Sequence, residues 1–234
     1  MDKSKLKFGL LRSKKDPNEK LVCFNYEKKV NMPLSYSLKE YVKYIFDQKN
    51  TNSCSANAVV NQLLLSDTQK LINKLPSRMF VYVTSRQLDN GIKTPLSDCG
   101  ASFKSVFEAL LMYKFPSEGE YPFNTDNVNK IPPVDIYKSG FNTLNPIFSY
   151  RKIVPCIYSI KYIISILKLP IMFGMSVFEN FIDLDEHNDL LDCPKGDFLG
   201  MHAIVLVGYT DITQTVEILN SHGETFGNRG FFRM

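Results

Sequence analysis

DQKNTNSCSANA, residues 47–58, sets a cysteine at the entrance of a stretch with helical propensity. In SCSANAVVNQLLLSDTQKLI, residues Ala56, Ala58, Val59, Leu63 and Leu64 supply an apolar side, and Ser53 stands where an N-cap belongs. Cys54 therefore falls in the first turn, where unpaired N–H groups and the helix dipole favour negative charge and make a thiol easier to ionise. Position alone does not make a nucleophile. Free cysteine is often simply buried, and catalysis needs a base and a group that orients the base.

Working outward, further helical periods occur at PSRMFVYVTSRQL and at SFKSVFEALLMYKF, where Phe103, Val106, Phe107, Leu110 and Leu111 recur at three and four. From residue 150 the style changes. YRKIV, PIMFGMSVFENF, HAIVLVGYT, TVEILNS and GFFRM are short apolar or β-branched runs divided by Gly, Pro and Asp, the pattern of antiparallel strands, with one helix, IYSIKYIISILKL, between them. A helical first half followed by a strand-rich second half predicts an α+β protein of two lobes with a cleft between them.

Of the three histidines, His187 lies in an acidic loop and His222 in a turn-like SHG, whereas His202 opens the strand HAIVLVGY. His202 is the best-placed base, projecting from a rigid element. Asn220 ends the next strand and offers a neutral amide that can hold an imidazole. Gln48, six residues before Cys54, can join the Cys54 backbone N–H as an oxyanion hole. An isolated Asn or Gln is ordinarily a surface residue, so the weight rests on the four together, in the order Gln, Cys, His, Asn.

With these residues in place the chain resembles the papain-like cysteine peptidases, the cathepsin family, in the style of its divergent bacterial and viral members. The matching pieces are DQKNTNSCSANA, DCGASFKS at 98–105, EYPF at 120–123, MHAIVLVGY around His202 and the closing ILNSHGETFGNRGFFRM. The resemblance implies a helical left lobe over about residues 45–145, an antiparallel β-barrel-like right lobe over about 146–234, and peptide hydrolysis in the cleft. It makes Gln48 the oxyanion donor, Cys54 the nucleophile, His202 the base and acid, and Asn220 the orienter. It places Ser53, Cys99, Gly100 and Met201 along bound peptide, with Cys99 departing from the family's glycine or serine. Thr51 stands where the family has a disulfide cysteine. His222 stands where it has the tryptophan that shields the His–Asn contact, and a smaller polar ring is expected to leave that contact wetter. Two alternatives are a papain-fold protein that binds peptides or partners without turning them over, and an acyltransferase using the same thioester.

Composition narrows the remaining classes. The formal charge of +4 belongs to the N-terminal arm: residues 1–30 hold nine Lys/Arg against four Asp/Glu. The body, residues 31–234, therefore carries no basic excess that would speak for nucleic acid. Five cysteines without a CxxC pair, and three histidines, give no zinc-ligand spacing, so neither metal nor cofactor is expected. The apolar stretch 153–178 is interrupted by Lys161, Lys168 and Pro170, which argues against a membrane span. The start MDKSKLKFGLLRSKK lacks the apolar region of a secretory signal, an expectation of a cytoplasmic or virion-associated rather than secreted protein. The loop 183–197, with six acidic residues and one Lys, mirrors the arm's charge. The arm is accordingly expected to lie near this rim and restrict the cleft as a short pro-segment, although two unrelated solvated charge runs would look the same.

Overall fold

The computed structural model describes residues 3–13, 21–22, 24, 30–90, 96–142 and 149–234. Most of the arm beyond residue 13, Cys23 included, and the lobe boundary placed between residues 145 and 146 lie outside the described residues. In chain order the strands are β1 (Leu10–Leu11), β2 (Leu21–Val22), β3 (Ser35–Ser37), β4 (Ala101–Ser102), β5 (Lys152–Ile153), β6 (Ile171–Phe178), β7 (Phe198–Thr210), β8 (Thr215–Leu219) and β9 (Phe231–Arg233). The helices are α1 (Cys54–Ser66), α2 (Arg78–Asn90), α3 (Phe103–Tyr113), α4 (Val134–Asn142) and α5 (Ile157–Ser165).

Two apolar cores form, one for each style of sequence. Val59, Val60 and Leu63 of α1, Met79 to Val83 of α2, and Val106 and Leu110 of α3 close the helical core. Their spacing puts one stripe of each helix inward. The capping box between Ser102 and Ser105 starts α3. The second core gathers Ala203 to Val207 of β7, Ile218 and Leu219 of β8, Phe231 and Phe232 of β9, and Ile164 of α5.

The sheet is built around β7. β6 pairs antiparallel with it from Ile171 opposite Leu206 to Phe178 opposite Phe198, and β8 pairs with its other edge from Val205 opposite Leu219 to Thr210 opposite Thr215. β3 joins antiparallel opposite Gly208 to Thr210, and β9 extends the sheet beyond β8. The segment before the cysteine, read as irregular or short extended structure, thus contributes an edge strand to the β-rich lobe. YRKIV behaves differently from expectation: β5 pairs only with β2, in parallel, apart from the main sheet. α5 ends at Ser165 rather than running through Leu169, and Lys168, at φ 55°, turns the chain before Pro170.

α1 belongs to both cores. Ala56, Val59 and Val60 face the helical one, while Cys54 and Ala58 pack in the sheet core beside Ala203. The first turn of α1 is thereby fixed at the seam of the two lobes. Among the described residues no helix is long and apolar enough to cross a membrane.

Candidate active site

Four segments converge at that seam: 47–54 leading into α1, 98–102 leading into α3, the middle of β7, and 220–223 after β8. Backbone bonds from Gln48 N to the Ser221 carbonyl (2.8 Å) and from Gly223 N to the Phe46 carbonyl (2.9 Å) clip the last of these to the first. On the opposite wall the Tyr82 hydroxyl donates to Asp98 Oδ1 (2.6 Å) and accepts from Gly100 N (3.0 Å), while Asp98 takes Asn52 N at 2.9 Å.

Gln48 is wholly buried and has its amide direction set. Ser221 Oγ donates to its Oε1 at 2.7 Å, which leaves Nε2 to donate to the Thr51 carbonyl (2.8 Å) and outward to a third carbonyl (3.0 Å), that of Lys7. Thr51, at the position where the resemblance implies a disulfide cysteine, braces the same loop through Oγ1 to the Gln48 carbonyl (2.7 Å) and Ser53 Oγ (2.7 Å). Ser53 holds the N-cap position without capping; its hydroxyl is spent on Thr51 and on Asn57 Nδ2 (3.0 Å). Ser53 is fully buried, which corrects the expectation that its side chain lies along bound peptide.

Cys54, His202 and Asn220 meet. His202 Nε2 donates to Asn220 Oδ1 at 2.8 Å, so the neutral ring carries its proton on Nε2 and its buried Nδ1, which makes no hydrogen bond, holds a bare lone pair. The Cys54 sulfur lies beside the next residue of β7 and is approached by the N–H groups of Ala203, Gly9 and Ser55. Burial pushes the thiol up to about 11, outweighing those donors, and burial pushes His202 down to about 4 against the pull of Asn220. Thiol and imidazole are both neutral in this arrangement.

The cause of that burial is the N-terminal arm. Residues 7–11 thread the cleft as an extended strand: Gly9 bridges Met201, Leu10 and Leu11 pair in parallel with Ala101 and Ser102, and Ala101 N donates to the Gly9 carbonyl (3.1 Å). Gly100, at φ 88°, is needed here, because a Cβ would collide with that carbonyl. Phe8 stands edge-on to His202 (5.4 Å), His222 (5.7 Å) and Phe181 (5.7 Å), and Leu10 is buried against Gly174. Gly100 and Met201 thus flank an extended peptide backbone, whereas Cys99 is exposed, its sulfur turned to Asn90 Nδ2 (3.7 Å) and the Gly100 carbonyl (3.6 Å).

The arm's charge does not track the acidic loop as expected. Lys3 Nζ reaches the Leu184 carbonyl (3.0 Å), but Lys7 pairs with Asp98 on the far wall (3.1 Å), and the loop commits Asp189 to Arg233 (2.6 Å) and Asp192 to Lys195 (2.5 Å). Apolar side chains and backbone bonds seat the arm. The run FGLL at 8–11, apolar within a Lys-rich segment, was the available signal.

His222 corrects a second expectation. It is buried, not wet: its ring stacks on His202 at 4.8 Å and 15°, Phe226 covers it at 5.4 Å, and its Nδ1 meets Asn220 Nδ2 at 3.0 Å. Among the described residues no group of His, Cys, Asp and Glu could hold a metal ion.

No family model matches the chain. It is 25% identical to an uncharacterized peptidase C1-like protein of Acanthamoeba polyphaga mimivirus, over 97% of this chain and 80% of that one. Among solved structures, xylellain, a cysteine protease from Xylella fastidiosa, superposes with a TM-score of 0.80 at 24% identity, covering 98% of this chain and 90% of its own. Procathepsin B S9 from Trypanosoma congolense follows the same path with a TM-score of 0.67 at 17% identity, covering 99% and 81%. The chain has the papain-like fold and resembles the papain-like cysteine peptidases over nearly its whole length.

Proposed function

We propose that the chain is a cysteine peptidase whose nucleophile is Cys54, held in an occluded state by its own N-terminal arm. One observation carries the reading: the Gln48, Cys54, His202 and Asn220 constellation surrounds an extended peptide segment that places a backbone carbonyl on Gln48 Nε2.

In the reaction His202 Nδ1 takes the thiol proton, the sulfur adds to the substrate carbonyl carbon, and the carbonyl's electron pair moves to oxygen. Gln48 Nε2 and the Cys54 N–H, which has no carbonyl one turn below it, receive that oxyanion. His202 then protonates the leaving amine, and water delivered against the same ring hydrolyses the thioester. The Asn220 amide keeps the ring's Nε2 occupied, so the lone pair stays on the side that meets the proton.

The arm survives its own position for a geometric reason. The group directed at the sulfur is the Gly9 N–H, a donor with no electrophilic carbon, and the surrounding burial keeps the thiol protonated. Occlusion is thus both steric and electrostatic. The test is turnover of fluorogenic peptides by the full-length chain, the Phe8→Ala/Leu10→Ala variant, and that variant with Cys54→Ala. Hydrolysis that rises in the arm variant and vanishes with Cys54 supports the reading. Bound but uncut peptides in the arm variant would replace it with a peptide-binding function, and product formation only with an added amine would replace it with acyl transfer.

A further inference from the structure

Asn220 contacts two imidazoles, and its fixed amide treats them oppositely. Oδ1 accepts from His202 Nε2, while Nδ2 donates to His222 Nδ1. A neutral imidazole that accepts at Nδ1 carries its proton at Nε2, so His222 presents an N–H where His202 presents a lone pair. That Nε2 is buried and makes no hydrogen bond. An orphaned donor of this kind costs about 1–3 kcal/mol in a folded protein, so its position calls for a partner that the closed arm does not supply in hydrogen-bonding geometry.

The Lys7 carbonyl shows where that partner belongs. It occupies Gln48 Nε2, and it lies close enough to the His222 ring to favour its protonated form. The two side chains are held on one wall by the bridge between Asp47 and His222 and by the bonds that join Gln48 to Ser221. We propose that His222 Nε2–H is a third donor to the carbonyl seat, completing with Gln48 and the Cys54 N–H the site that takes the developing oxyanion. The inference rests on the peptidase reading for its chemistry, and on the amide geometry of Asn220 for its direction.

During addition the Cys54 proton passes to His202 Nδ1, the S–C bond forms, and charge collects on the substrate oxygen. His222 gives a hydrogen bond and keeps its proton. Burial and the neighbouring His202 both hold His222 well below the usual histidine range, so it stays a neutral donor even while the stacked His202 is an imidazolium. One asparagine therefore divides two stacked histidines into a base and a hydrogen-bond donor.

The test has two parts. Nitrogen-15 and proton correlation of the imidazoles in full-length Cys54→Ala protein is expected to show His222 protonated at Nε2 alone; a proton at Nδ1 overturns the proposal whatever the turnover. Kinetics are then compared in the full-length Phe8→Ala/Leu10→Ala background. His222→Phe keeps the ring and the stack but lacks the donor, and should lower kcat by on the order of 100-fold while moving KM by less than about threefold. His222→Gln, which restores an N–H, should recover at least about tenfold of that loss. A kcat for His222→Phe within about threefold of its parent overturns the proposal, as does equal loss in the Gln variant. A parent with no turnover but with the Nε2–H tautomer contradicts the peptidase reading and supports the donor geometry, which keeps the two failures distinct.

Discussion

Truncating one side chain of the arm should unmask the nucleophile. Leu10 is buried in the sheet-lobe core against Gly174 and Phe103, and its backbone pairs with Ala101. Leu→Ala at buried sites costs about 2–5 kcal/mol. Leu10 sits at the rim of its core, so the lower end applies, and about 2 kcal/mol multiplies the undocked population about 30-fold. When docking and undocking are fast, the second-order rate of Cys54 alkylation by a peptidyl epoxide is proportional to that population. The assay is intact-mass measurement of adduct formation at neutral pH on wild type and Leu10→Ala, with circular dichroism verifying an unchanged fold. Alkylation faster by one to two orders of magnitude is expected. A folded Leu10→Ala protein labelled within about twofold of wild type would refute the claim that apolar docking of the arm controls access.

Other consequences follow from the same contacts. In the docked state His202 is held at about 4, so above its ordinary value of 6.5 docking is undisturbed; below it the undocked form takes up a proton that the docked form refuses. Docking should weaken progressively between those values by about 3 kcal/mol from His202 alone, with buried His222 adding in the same direction. The chain contains no tryptophan, so Phe8→Trp in a Cys54→Ala background is a single reporter, and an emission shift inside that pH window is expected. Constant emission from pH 7 to 4 would contradict the linkage. Lys7→Ala breaks the half-exposed pair with Asp98, contributes less than about 1 kcal/mol, and should change the alkylation rate less than about fivefold, well short of Leu10→Ala. Asn220→Ala releases both imidazoles at once; it should lower kcat more than His222→Phe does and cost about 1–3 kcal/mol of stability by thermal melting.

The two-lobe architecture was legible because each lobe has its own periodicity: the threes and fours of α1 to α3 and the short β-branched runs of β6 to β9. The position of Cys54 at a helix entrance and of His202 and Asn220 on neighbouring strands could be read residue by residue. Their convergence could not, because it depends on α1 facing two cores, and only the resemblance supplied it. The seat of the arm escaped for a different reason: residues 7–11 are held by backbone bonds, which leave no mark on residue type, and the conspicuous charge of the arm pointed to the wrong rim. His222 was misread because polarity was taken for exposure. A histidine whose ring is sandwiched by Phe8, His202 and Phe226 is dry, and its remaining nitrogen becomes an instrument of the site rather than a leak in it.

The most direct measurement is the mapped site of covalent capture in the full-length Phe8→Ala/Leu10→Ala chain. An activated thiol predicts a single epoxide adduct on Cys54, absent after Cys54→Ala and strongly slowed by His202→Ala. Adducts confined to the exposed Cys99 and Cys193, with Cys54 unmodified although the arm is loosened, would contradict the account.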